Sequence, residues 1–390
     1  METKKHILFL CSWFPNKNAP TLGNFVQKHA ESAALYNDIS VIGIFSHDEK
    51  DYVLETSVLN GVHNYIVYYP KVTLPIFGLK QLVQKVRTKK AFNMAFKAVL
   101  DQHGMPKMVH LNQVFPLGQF AVYLKKKFNL PFVATEHSTA YHMGNNRLPY
   151  LALQYALRCM KKASLILPVS KDLENSLKKL GIHVPMRIVP NVVNEHIFGN
   201  LPLFEPQKTH FVHISTANDD HKNISGILRT IKQLSAITTD FHFKIISDGT
   251  IEPFIEMAYN QLSISKDLLS FEGTKTTEEV AQAINESSAF VLFSNYENLP
   301  CVILETLTVG KPVISTNVNG VPECLDQSNG ILIKPRNEQQ LLNAMLQIIN
   351  KEVHFDSEKI KSDALQKYSY QAVGKHFDEI YNEILKNHVS

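Results

Sequence analysis

Two glutamates stand eight positions apart, Glu297 and Glu305, with Asn298-Leu299-Pro300-Cys301-Val302-Ile303-Leu304 between them. Upstream, Ala289-Phe290-Val291-Leu292-Phe293-Ser294 reads as a buried strand, and downstream Leu304 to Val309 reads as a short helix ended by Gly310. Glu297 then falls on a strand-to-helix loop and Glu305 inside the helix that follows. In a parallel α/β sheet such a loop lies at the carboxyl edge, where ligands bind. The helix start offers backbone N–H groups to an anion such as a diphosphate. Two carboxylates beside it can accept hydrogen bonds from sugar hydroxyls, an arrangement that suits a nucleotide-sugar.

Other expected strand ends carry further polar groups. The first strand, His6–Cys11, runs into a loop from Ser12 to Val26, where Gly23 opens a helix and lets the backbone approach a ligand closely. The loop lacks a G-x-G-x-x-G fingerprint, which disfavours a nicotinamide dinucleotide. His137 directly follows the strand Phe132–Thr135 and points to the same edge, with Glu136 and His142 as alternatives. Lys222, on the loop from Ser215 to Asn223, suits a phosphate as a compact point charge, and His221 stands beside it. Asp248-Gly249 and Phe271-Glu272-Gly273 are short glycine turns after two more strands. There is no Asp-x-Asp at a strand end and no His cluster with metal-ligand spacing, so no obligatory divalent metal is expected.

Taken in order, Glu297, Glu305, Gly310-Lys311-Pro312-Val313 and Gly320-Val321-Pro322-Glu323 resemble the donor-site signature of retaining glycosyltransferases of family four. The resemblance extends to Pro20 and Gly23, to His137, to the Pro190-Asn191 hinge and to Lys222. It implies the GT-B architecture: two Rossmann-like α/β domains facing a cleft, with a C-terminal helix crossing back to the first. It also implies catalytic roles. His137 would position groups at the reacting centre, Lys222 would stabilise the departing diphosphate, and Glu297 would hold donor sugar hydroxyls. Glu305 would hold the ribose hydroxyls. Gly23, Asn298, Leu299 and Pro300 would lie along the donor, and Gly249 and Gly273 near its base. The chain departs from the pattern at Ala217, where the family has a phosphate-binding Arg, and at Ser247, which replaces a turn glycine. The first departure weakens the phosphate grip or moves it to another group, with His221 a partial substitute.

These residues need a scaffold that gathers strand ends. Short apolar runs alternate with amphipathic stretches throughout, the pattern of a parallel α/β architecture. Strands are expected from His6–Cys11 to Ser164–Val169 in the first half and from His210–Ser215 to Gly330–Ile333 in the second, with Arg187 to Asn191 as the last strand of the first. The 390 residues are too many for one ordinary core, so two domains are the default. The boundaries expected are 1–190, 191–367 and a terminal helix over 368–390. The four cysteines, Cys11, Cys159, Cys301 and Cys324, have no pairing or metal spacing and read as reduced thiols. The apolar run Ile7–Cys11 is too short for a signal peptide core, and no stretch reaches membrane-span length, so a cytoplasmic protein is expected.

A net charge of +4 hides an asymmetry: residues 1–190 hold 24 Lys+Arg and 11 Asp+Glu, hence +13, and the remaining 16 and 25 give −9. The positive charge is mostly lysine without RNA-binding motifs, which disfavours nucleic acid. An anionic membrane surface suits it better. The span between Thr56 and Leu100 has no acidic residue and interleaves seven Lys and Arg with apolar residues. The expected activity is sugar transfer from a nucleoside-diphosphate sugar to a hydroxyl of a glycan or lipid-linked glycan, with retention at the anomeric carbon. No cofactor is expected beyond that co-substrate. A nucleotide-sugar epimerase on the same fold and a catalytically silent nucleotide-sugar-binding protein are the alternatives.

Overall fold

A computed structural model of the chain describes residues 4–73, 77–142 and 148–389. Two compact units share the chain: Met1–Val192 together with Tyr370–Ser390, and Val193–Ser369. The central strands of each are short, uninterrupted apolar runs, as strands covered on both faces must be.

In the first unit, β1 (His6–Cys11) is buried at every position and lies parallel between β2 (Asp38–His47) and β5 (Met108–Asn112). With β3 (Val53–Leu59), β4 (Val62–Pro70), β6 (Phe132–Glu136) and β7 (Leu165–Pro168) it forms a seven-stranded sheet of order β3-β4-β2-β1-β5-β6-β7. β3 is antiparallel to β4 and was not expected from the sequence. Its side chains are largely exposed, so no apolar run announces it. Arg187 to Asn191, expected as a strand, runs beside β7 without becoming one. Arg187 and Val189 donate to the carbonyls of Ile166 and Pro168, while Pro185 and Pro190 lack the N–H groups that would extend a ladder.

Helix Tyr370–Val389 packs on helix Asn24–Ala34 within this unit. Gly374 sits at the crossing, where a Cβ would fall 2.2 Å from the Ser32 carbonyl oxygen, so glycine alone permits so close an approach. Tyr370 donates to Glu31 at 2.6 Å, and Tyr381 meets buried His110 at 2.6 Å. Phe377, Ile380 and Tyr381 share one core with β1 and β2.

The second unit carries six parallel strands: β8 (Thr209–Thr216), β9 (Phe241–Asp248), β10 (Leu269–Glu272), β11 (Ala289–Leu292), β12 (Val313–Thr316) and β13 (Gly330–Ile333), in the order β10-β9-β8-β11-β12-β13. The order reverses between β8 and β11. Connections leaving these two strands therefore run to opposite faces and open a crevice at their carboxyl ends. The corresponding reversal in the first unit lies between β1 and β5.

Helix Cys301–Val309 follows β11, and its residues from Ile303 to Val309 are all buried, as its lack of a polar face requires. Gly310 ends it with φ +93°, and a Cβ there would meet the Ser357 carbonyl oxygen at 2.8 Å. Lys311 is buried with its ammonium on the Phe204 carbonyl oxygen. The Gly-Lys-Pro-Val run thus turns the chain off the helix and ties down the segment that enters the unit. Helices Tyr150–Met160 and Ser357–Tyr368 were not expected from the sequence. Among the described residues no helix is long and apolar enough to cross a membrane.

Candidate functional site

The two strands flanking the reversal of the second sheet deliver Lys222 and Glu297. Lys222 ends the short helix Asp219–Lys222 after β8, and Glu297 lies on the loop after β11. The side chains meet: Lys222 Nζ is 2.5 Å from Glu297 Oε1. The same oxygen accepts from Ser294 Oγ at 2.7 Å, and His221 Nε2 stands 3.7 Å away. The Glu297 N–H donates to Asn319 Oδ1 at 3.3 Å. Burial alone would push the Glu297 carboxyl up, but Lys222 and His221 together outweigh it and hold the group at about 2. Glu297 is therefore a carboxylate at any ordinary pH.

His221 stacks flat on Tyr296, centroids 4.2 Å apart, and its carbonyl accepts from the Asn295 N–H. Asn295 Oδ1 in turn accepts from Arg336 Nε at 3.0 Å. Ser294, Asn319 and Arg336 did not emerge from sequence reasoning. Their signal is positional, since each lies just beyond the carboxyl end of β11, β12 or β13.

The remaining expected donor residues lie along this edge. Asn298 and Leu299 are buried, and Pro300, the N-cap of helix Cys301–Val309, offers no side-chain acceptor to it. Glu305 is buried inside that helix. Gly249 follows β9 with φ +106°, and a Cβ there would lie 3.5 Å from Ala217 Cβ. The uncharged Ala217 thus packs on the glycine turn. Gly273 follows β10 with open space around it.

In the first unit, His137 follows β6. Its Nδ1 is 3.0 Å from Asn191 Oδ1, which can only accept, so the hydrogen sits on Nδ1 and Nε2 keeps its lone pair. Burial first, and then His29, push His137 well below the ordinary histidine range, leaving a neutral ring. Glu136, the neighbouring alternative, accepts from the Val114 N–H at 2.7 Å and the Tyr141 hydroxyl at 3.2 Å, and burial pushes it up to about 7. His142, the other alternative, is drawn to Asp172 at 3.1 Å and Ser176 at 3.0 Å. Gly23 has φ +67°, and a Cβ there would fall 2.7 Å from the Trp13 carbonyl carbon. The loop's own backbone therefore requires this glycine, whatever else it serves. Among the described residues one group could hold a metal ion, Asp38 with His63 and His103, and it lies at the opposite, amino edge of the first sheet.

A family model described as "Glycosyl transferases group 1" matches residues 208–351, and one described as "Glycosyltransferase Family 4" matches residues 45–196. An uncharacterized glycosyltransferase of Methanocaldococcus jannaschii is 28% identical over 258 residues, 66% of this chain and 69% of the relative. A Bacillus subtilis protein provisionally described as a teichuronic acid biosynthesis glycosyltransferase is 22% identical over 388 residues, 95% of this chain and 94% of its own. Among solved structures, the sucrose-phosphate synthase of Thermosynechococcus elongatus superposes with a TM-score of 0.76 at 16% identity, covering 98% of this chain and 100% of that one. Anabaena HepE, solved in complex with UDP, gives 0.71 at 15% identity, covering 97% and 100%.

Proposed function

The chain belongs to glycosyltransferase family four and has its GT-B fold, and from that premise we propose that it moves a sugar from a nucleoside-diphosphate sugar to a hydroxyl of a glycan or lipid-linked glycan, with retention at the anomeric carbon. The HepE complex with UDP makes a uridine donor the first to test. The relatives and family models are glycosyltransferases, so the epimerase and silent-binder alternatives are not favoured.

The observation that carries the reading is the Lys222–Glu297 pair beside the start of helix Cys301–Val309 at the reversal of a parallel sheet. A diphosphate there would take N–H donors from the helix and the Lys222 ammonium, neutralising the charge that grows on the leaving group. Glu297, kept ionised and fixed in place, would accept from sugar hydroxyls. Glu305 would accept from the ribose, with Asn298, Leu299, Pro300, Gly249 and Gly273 along the nucleotide. Arg336, reaching Asn295 on the same edge, would supply part of the positive charge that Ala217 does not. On the first unit, neutral His137 would accept a hydroxyl hydrogen at Nε2, beside the loop that Gly23 shapes. The chain's own residues supply these roles without an obligatory metal.

The test is nucleotide release and product formation with UDP-, GDP- and ADP-sugars, alongside thermal shift, since a ligand bound to the native state raises its stability by mass action. Donor-dependent stabilisation and acceptor-dependent release support transfer. Equal turnover with and without acceptor, yielding a rearranged sugar, supports epimerisation instead.

A lipid-linked acceptor is favoured by helix Phe77–His103. Its second half is anchored by buried Ala91, Phe92, Ala95, Phe96 and Val99, but Leu82 and Val86 in its first half are 59% and 61% exposed. Lys80, Lys85, Lys89 and Lys90 in the same half are exposed as well. Beside them a cavity of about 140 Å³ is lined by Phe92, Phe120 and Tyr123 with Lys85 and Lys89. Apolar and basic groups presented together suit an anionic membrane face.

A further inference from the structure

Asp38, His63 and His103 meet at the amino edge of the first sheet, away from His137 and Gly23. Asp38 opens β2, His63 of β4 is the register partner of Ser40, and His103 ends helix Phe77–His103. Their possible ligand atoms all lie within 4.8 Å of one another. His103 Nδ1 is 3.6 Å and His63 Nε2 is 4.0 Å from the Asp38 carboxylate.

Hydrogen bonding fixes the His103 ring. The Tyr65 hydroxyl donates to Gln102 Oε1 at 2.6 Å, so its oxygen accepts from His103 Nε2–H at 3.0 Å. In the neutral ring Nδ1 is then a bare lone pair turned to a carboxylate, two acceptors face to face. A cation between them resolves the conflict, either a proton on Nδ1 or a metal ion.

We propose that Asp38, His63 and His103 form a binding site for a divalent transition-metal ion of the zinc type, with His103 Nδ1, His63 Nε2 and one Asp38 oxygen as protein ligands and water completing the shell. Two imidazoles and one carboxylate select such an ion over magnesium or calcium. Zinc bonds to N and O of about 2.0–2.2 Å place tetrahedral ligands roughly 3.3 Å apart, so with the ligand atoms within 4.8 Å of one another no pair needs to close by more than about 1.5 Å. All three are partly exposed, which leaves the ion a way in. The Tyr65 contact to the far nitrogen of His103 orients the ligand from behind, as outer hydrogen bonds do in metal sites. The ion would clamp β2, β4 and the end of the long helix, and the proposal does not depend on the transfer reaction.

The experiment is calorimetric titration of the full chain with Zn²⁺, paired with Co²⁺ absorption spectra as a report of coordination. One saturable ion per chain is expected, with a Co²⁺ spectrum of tetrahedral type. His63→Ala and Asp38→Asn should lose at least tenfold in affinity. Tyr65→Phe, which removes no ligand and keeps the ring, should lose about 10–100-fold. Metal-free melting of each variant establishes that it is folded, and if Asp38→Asn is not, partly exposed His63 carries the test. Equal Zn²⁺ affinity in wild type and His63→Ala, or no saturable binding in wild type, overturns the site.

Discussion

Replacing Lys222 by alanine should cost the second unit stability as well as activity. The ammonium is 2.5 Å from a carboxylate that is only 5% exposed, so its removal leaves Glu297 buried with Ser294 and His221 as its remaining partners near Oε1. The magnitude follows from the carboxyl itself, which falls from 4.5 to about 2 in the fold. At 1.36 kcal/mol per unit that shift corresponds to about 3 kcal/mol, the lower end of the roughly 3–5 kcal/mol lost when one partner of a buried pair is deleted. For a unit of this size the melting temperature should drop by about 6–12 °C. The pH dependence should change sign. In the wild type the folded value lies below the unfolded one, so the pair's stabilisation is complete above about pH 5 and is lost as pH falls towards 2. In Lys222→Ala burial dominates, the folded value rises above the unfolded one, and acid relieves the deficit. Far-ultraviolet circular dichroism follows both units, while the single tryptophan, Trp13, reports on the first. The double variant Lys222→Met/Glu297→Gln should recover stability without recovering transfer. A Lys222→Ala protein that melts within about 2 °C of wild type at pH 7, or whose deficit grows on acidification, would refute the reasoning.

Glu305→Gln keeps size and removes charge, and should weaken nucleotide binding by roughly 1.5–3 kcal/mol in calorimetry, the range for a charge-assisted hydrogen bond. Gly23→Ala places a Cβ 2.7 Å from the Trp13 carbonyl carbon at φ +67°, so it should destabilise the first unit by about 1–3 kcal/mol and shift the Trp13 fluorescence transition. Co-sedimentation with anionic vesicles should occur at low salt, fade as salt rises, and weaken in Lys85/Lys89/Lys90→Glu. Equal recovery on neutral vesicles would point to a soluble acceptor.

The parallel strands were legible because each is a continuous apolar run between helical stretches. β1 and β13 were read with the bounds they have, and the rest shift by a few residues at their ends. β3 was not legible from its polarity, yet Asn60-Gly61, both at positive φ, is a hairpin turn signal that could have revealed it. Lys222 and Glu297 were each legible as edge residues. Their pairing was not, because it depends on β8 and β11 becoming neighbours across 75 positions. The lysine read as a phosphate ligand is thereby also half of a part-buried ion pair. Asp38, His63 and His103 show the same limit, since ligand spacing along a chain cannot detect residues collected from two strands and a helix end. The lysine of Gly-Lys-Pro-Val reads as part of a donor signature, but its ammonium holds the Phe204 carbonyl inside the fold.

The close helix crossing at Gly374 also dictates an order of events at the ribosome. The core around β1 and β2 includes Phe377, Ile380 and Tyr381, so the unit made first cannot seal that core until residues 370–389 have emerged. All of Val193–Ser369 is translated in between, which at about 5–20 residues per second is a wait of roughly 10–35 s. During that interval the nascent first unit exposes an apolar groove along helix Asn24–Ala34, while the second unit, contiguous in sequence, can complete itself. Of the two units, the one whose translation starts first is therefore the one that finishes folding last.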